Sequence, residues 1–215
     1  MKKSFYPLAI TCLLLIQYSA LAQSQDVPKF EIAAEFITLE REALGGQKTE
    51  PGVGARFTYN LNANFALEAA GYIFPDRCAL CTNNGRMSQV VAGAKVGKRF
   101  DKWGIFAKAR PGIVSFSQGH ANVVSLNPGN PFPVQLQVER STHFVTELGG
   151  VVEFYPSRKI VTRFDVGDTL IHFRSRTTTF VQTNPFTGET TLFPFVQPAR
   201  TTHNFQFTAG VGFRF

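Results

Sequence analysis

The segment FQFTAGVGFRF, residues 205 to 215, constrains the fold more than any other part of the chain. Successive side chains of a strand point to opposite faces. Phe205, Phe207, Ala209, Val211, Phe213 and Phe215 therefore share one face, and Asn204, Gln206, Thr208, Gly210, Gly212 and Arg214 share the other. One face is wholly apolar and the other polar or glycine. Such a segment is a strand between two different solvents.

The same period of two recurs along the chain. Phe30, Ile32, Ala34 and Phe36 oppose Glu31 and Glu35, while Val53, Ala55, Phe57 and Tyr59 oppose Gly54, Arg56 and Thr58. Phe65, Leu67, Ala69 and Ile73 oppose Glu68, and Val90, Ala92, Ala94 and Val96 oppose Gln89, Lys95 and Gly97. Three further segments behave alike: 105–113 with Lys108 and Arg110, 144–154 with Glu147 and Glu153, and 160–167 with Arg163 and Asp165. With the terminal segment this predicts about eight strands. FEIAAEFITLERE alone also has the composition of an amphipathic helix, so the first segment is open to either reading.

The connections alternate in length. NLNAN, RFDKWG and YPSRK are short and flanked by aromatics, whereas 41–50, 75–86, 117–138 and 174–200 are long. Short turns at one end and long loops at the other describe an eight-stranded antiparallel up-and-down transmembrane β-barrel of the outer-membrane type. An even strand number puts both termini on the short-turn, periplasmic side. A soluble ligand-carrying barrel also alternates, but with its apolar faces inward. Here the charges share faces with Gly, Ala, Thr and Gln, which suit a crowded lumen, and the opposite faces avoid charge. The apolar faces are therefore expected to meet lipid, where closure of the sheet pairs every backbone group.

The N-terminus agrees with export. Lys2 and Lys3 precede the apolar run Leu8 to Ile16, and Ala20-Leu21-Ala22 follows it, the pattern of a cleavable signal peptide over residues 1–22. The run is too short to span a bilayer as a helix. The mature domain is then 23–215, with its net charge reduced from +7 to about +5. Its bases are scattered singly, which argues against a nucleic-acid partner and leaves outer-membrane lipid as the plausible neighbour. Cys78 and Cys81, the two cysteines of the mature domain, are expected to form a local disulfide. A thiol redox site or a zinc site lacks supporting residues around them.

These residues resemble the small outer-membrane β-barrel superfamily that holds the OmpA transmembrane domain and OmpX-like proteins. The likeness is one of architecture, sharpest in Val211, Phe213 and the terminal Phe215. It implies that these three form a C-terminal signal read by the outer-membrane assembly machinery. OmpA itself continues into a periplasmic peptidoglycan-binding domain, whereas this sequence stops at the strand, so wall tethering is not expected.

Eight strands enclose a lumen that side chains just fill. Glu68, Lys95, Lys108, Arg110, Glu147, Glu153, Arg163 and Asp165 are accordingly expected to form an interior charge network, because an unpaired buried charge costs several kcal/mol. Removing one acid such as Glu147 is expected to loosen the plug and admit current. The leading function is a non-enzymatic barrel with surface loops for structural, binding or adhesive roles, its extracellular partner unknown. The alternative is a narrow channel. A more remote one is a lipid A-modifying enzyme, since Ser141, His143 and Glu147 share a face. No catalytic, cofactor or metal site is expected, and nothing brings His120, His172 and His203 together. Alternating residues around NPGNP and NPFTGE read as hairpins that extend the barrel, either as exposed edges or packed against one another.

Overall fold

The computed structural model describes residues 27–43, 46–76, 85–123, 134–138, 140–183 and 190–215. Eight long strands close into one antiparallel barrel: β1 (Phe30–Ala43), β2 (Gly46–Asn60), β3 (Phe65–Phe74), β4 (Met87–Arg99), β5 (Trp103–Phe116), β8 (Ser141–Phe154), β9 (Ile160–Phe173) and β12 (Arg200–Arg214). Two hairpins stand apart as two-stranded sheets, β6 (Gly119–Val123) with β7 (Val134–Val138), and β10 (Arg176–Thr183) with β11 (Thr190–Gln197). They occupy the places where the flanking turn sequences predict extensions. The eight-stranded up-and-down architecture expected from the alternation is the one observed.

Each barrel strand pairs with its neighbours in chain order, and β1 with β12 closes the ring in the register Glu31↔Arg214 to Leu39↔Gln206. At the bottom of this seam the backbones of Phe30 and Phe215 each donate to the other's carbonyl at 2.9 Å. Closure leaves no unpaired edge in the wall. The segment FEIAAEFITLERE is strand throughout, because β2 and β12 flank it and override its helical composition.

The short turns are set by side-chain acceptors. Asn62 Oδ1 accepts from the backbone N–H of Asn64 and Phe65, both at 2.8 Å, and Ser157 Oγ accepts from those of Lys159 and Ile160 at 3.3 and 3.2 Å. At the opposite end one expectation fails. Residues 41–50, expected as a long loop, continue the β1–β2 ladder to Ala43↔Gly46. Gly46, where the ladder ends on β2, has φ of +147°, a conformation that residues with a side chain rarely adopt.

The outer wall is apolar and the lumen charged. Ile32, Val53, Ile73, Val90, Ile105, Phe164 and Val211 are exposed on the outside, while Glu31, Arg56, Lys95, Arg110, Glu147 and Arg163 are buried within. On β12 the outward residues from Phe205 to Phe215 carry no charge. That length rises about 33 Å along the strand, or about 25 Å along a barrel axis tilted by 40°, the height of a lipid-facing band. The band ends at polar side chains. At its loop end, exposed His203 on β12 donates from Nδ1 to Asp168 Oδ2 on β9 at 2.6 Å. At its short-turn end, Lys98 lies over the Phe100 ring, which stacks on Trp103 at 4.3 Å.

Candidate functional site

Among the described residues charge is concentrated in the lumen, and every barrel strand contributes to it. Inward positions bury six acids and seven bases in the half nearer the short turns. Glu68 on β3 is the hub. Its two oxygens accept from Nη1 and Nη2 of Arg163 on β9, across the barrel, the second contact at 3.1 Å. Arg56, Lys95 and Arg110 reach within 3.6–3.7 Å of the same carboxylate. Arg163 also forks onto Asp165, with Nε to Oδ1 at 2.5 Å and Nη2 to Oδ2 at 2.8 Å.

A second acid centre lies on β8. Glu147 Oε1 accepts from Lys108 Nζ at 2.5 Å, Arg110 Nη2 at 2.6 Å and Gln206 Nε2 at 2.7 Å, and Lys108 also donates to Asp165 Oδ2 at 2.7 Å. Lower down, Glu153 takes Lys95 Nζ on one oxygen and the Tyr155 hydroxyl on the other at 2.8 Å. Burial and the adjoining Glu153 carboxylate push the Tyr155 phenol well above its usual pKa, so it stays a donor. Low dielectric strengthens each of these contacts and makes each missing partner costly.

Tyr72 ties the network to the layer above. Its hydroxyl donates to Glu35 Oε2 at 2.7 Å and accepts from Arg110 Nη2 at 3.2 Å, while Glu35 Oε1 takes Arg56 Nε at 2.6 Å. Gly54 makes room for the ring, since a Cβ there would lie 2.3 Å from Tyr72 Cδ1. Tyr72→Phe keeps the packing but strips two charged groups of one hydrogen bond each. It is expected to lower stability by about 1.5 to 3 kcal/mol in urea unfolding from lipid vesicles. An unchanged midpoint would mean that water replaces the hydroxyl.

Above the charges, toward the hairpins, the interior turns apolar. Ile37, Leu39, Phe74, Met87, Val91, Val114, Phe116, Val145 and Ile171 form one buried cluster, with Phe173 packed against it. On top of it Arg41 Nη1 reaches both oxygens of Glu50 at 3.0 Å, with its guanidinium 4.8 Å from the centre of the Phe116 ring. The lumen thus holds a charged layer and an apolar layer in series.

All eight interior charges singled out from the sequence lie in this lumen and share the contacts above. Arg99, Tyr72, Arg41 and Glu50 continue the inward parity of their strands beyond the alternation read from the sequence. Arg99 follows Lys95 and Gly97 at the same parity and was the readable signal. Ser141, His143 and Glu147 make no hydrogen bond to one another: Ser141 Oγ and both His143 nitrogens lack a hydrogen-bond partner, and Glu147 is bound by Lys108 and Arg110. His172 contacts Thr201, His203 contacts Asp168, and the His120 side chain is outside the described residues. Cys78, Cys81 and the 1–22 segment also lie outside them. Among the described residues no group of three or more His, Cys, Asp or Glu is placed to hold a metal ion. Val211, Phe213 and Phe215 are exposed on the outer wall, with the Phe215 ring 5.8 Å from that of Phe30.

No family model matches the chain, and no curated protein matches it by sequence. Solved structures do. Neisserial surface protein A is 12% identical, over 87% of this chain and 97% of its own, with a TM-score of 0.48. Ail, the attachment invasion locus protein of Yersinia pestis, is 11% identical over 88% and 99%, with a TM-score of 0.47. The N-terminal β-barrel domain of Pseudomonas aeruginosa OprF is 11% identical over 85% and 97%, with a TM-score of 0.40. At these identities none of them transfers a ligand, a partner or an activity to this chain.

Proposed function

We propose that the chain is a non-enzymatic integral outer-membrane protein: a sealed barrel that holds its β6–β7 and β10–β11 hairpins outside the cell for a structural or binding role, with both termini in the periplasm. The observation that carries this reading is the inverted distribution of side chains, with paired charges inside and an uncharged apolar band outside. That arrangement is stable only with lipid around the wall. Two filled layers in series favour a plug over a channel. The absence of hydrogen bonds linking Ser141, His143 and Glu147 supports a role without catalysis. Its partners are then outer-membrane lipid, the assembly machinery during insertion, and an extracellular partner that the hairpins would meet.

Cell fractionation with heat-modifiable gel mobility tests this location. The protein is expected in the outer-membrane fraction, migrating faster unheated than boiled. Recovery as a soluble periplasmic species with one mobility would overturn it. Within the same reading, Val211, Phe213 and Phe215 serve as the assembly signal. Deleting Phe215 removes both backbone bonds to Phe30 as well as the terminal ring, and is expected to reduce membrane levels far more than Phe144→Ala, a substitution on the outer wall near the loops. Equal membrane levels of the two variants would contradict a C-terminal signal.

A further inference from the structure

The short-turn mouth of the barrel holds an open bowl of about 720 Å³ that the sealed-barrel reading does not use. Arg99 and Arg214 line its floor, Arg158, Lys159 and Ser157 its rim, and Tyr155 its wall. Asp101 is the one acid on that wall among the described residues. Both floor arginines are more than nine-tenths buried.

Their charges are under-compensated. The charged layer carries one more base than acids, and the surplus falls here. Glu31 lies 3.3 Å from Arg214 Nε, 3.5 Å from Arg99 Nη2 and 3.7 Å from Arg56 Nη1, so one carboxylate faces three guanidinium groups. Glu153, 3.6 Å from Arg99, is already bound by Lys95 and Tyr155. Nε and Nη1 of Arg99 and Nε of Arg214 are buried without a hydrogen-bond partner. Both guanidinium groups lie over the Tyr155 ring, with Cζ 5.0 and 4.4 Å from its centre. Ring contacts soften like-charge repulsion but supply no acceptor oxygen. An anion with several acceptor oxygens supplies both the missing charge and the missing acceptors, and guanidinium donors suit phosphate oxygens in this way.

We propose that this bowl is a phosphate-binding site, with Arg99 and Arg214 holding the phosphate from below and Arg158 and Lys159 closing on it from the rim. The phosphate has two possible sources, a soluble phosphate ester and the headgroup of a phospholipid. The second rests on the orientation proposed above, which sets the mouth beside the headgroups of the periplasmic leaflet. The first holds in either orientation.

Trp103 is the single tryptophan of the chain, and it stacks on Phe100, which lines the bowl, so its fluorescence reports on the site. The test uses the mature protein in phosphate-free maltoside micelles. Inorganic phosphate is titrated at constant ionic strength against chloride. In a second arm the micelles are doped with dihexanoyl phosphatidylglycerol or with uncharged diacylglycerol. A saturable change with a phosphate-bearing probe and none with chloride or diacylglycerol is expected. Arg158→Gln with Lys159→Gln, both exposed and outside the barrel network, is expected to weaken it about tenfold or more. Arg214→Gln is expected to abolish it. Saturation by inorganic phosphate identifies a soluble anion, and saturation by phosphatidylglycerol alone identifies a headgroup. No saturation in either arm, the same response to chloride, or equal affinity in parent and double variant would overturn the site.

Discussion

Glu68→Ala is expected to destabilise the barrel by about 3 to 5 kcal/mol, the loss seen when one partner is removed from a buried ion pair. Glu68 faces Arg163 directly and Arg56, Lys95 and Arg110 at 3.6–3.7 Å, so its loss leaves four buried cations around a vacant position. Glu42→Ala provides the contrast. Glu42 pairs with Arg200 at 3.2 Å near the loops, but both side chains are well exposed, and the expected change is within about 1 kcal/mol. Urea titration of both variants in lipid vesicles measures the difference. Similar midpoints for the two would mean that water reaches Glu68 as readily as Glu42.

Glu147→Ala combined with Phe116→Ala is expected to admit current where neither substitution alone does so. Glu147→Ala takes one acceptor from each of Lys108, Arg110 and Gln206 and lets water into the charged layer. The apolar layer still lies above it. A hydrophobic constriction excludes water and ions even when other parts of the lumen are open. Phe116→Ala breaches that layer at a cost of about 3 to 5 kcal/mol in lost packing, but leaves the charges interlocked below. The parity of the inward charges on its own leads to the expectation that losing Glu147 suffices. The apolar cluster changes that. Planar-bilayer recording is expected to show steady or flickering steps only for the double variant. Steps in Glu147→Ala alone would show that the apolar layer is not a barrier.

The fold was legible because a β-strand carries only two faces, and apolar residues outside with charge inside invert the usual assignment of those faces. Phe205 to Phe215 alone show the inversion. The charge partners were not legible. Glu68 and Arg163 stand 95 residues apart, and their meeting depends on the stagger of the closed sheet, which no local pattern encodes. The apolar layer was obscured for a different reason. Ile37, Leu39, Val114 and Ile171 have inward parity but lie just past the segments whose alternation is cleanest, where apolar residues occur on both faces. The 41–50 stretch looked like a loop because of its charges and glycines. In fact Arg41 and Glu50 pair diagonally across the ladder, whose register sets Leu39 opposite Glu50, and Gly46 lies at its end. Of the two buried arginines at the short-turn mouth, Arg214 shares the inward face read from the sequence, whereas Arg99 was obscured because it lies at the very end of its strand, beside the aromatic turn.

Single-channel recording of the unmodified mature protein in a planar bilayer tests the sealed barrel most directly, once insertion has been verified by heat-modifiable mobility of the same preparation. With charges paired below and an apolar cluster above, the current is expected to stay at the level of the bare membrane. Steady, reproducible conductance steps from the unmodified protein would contradict it.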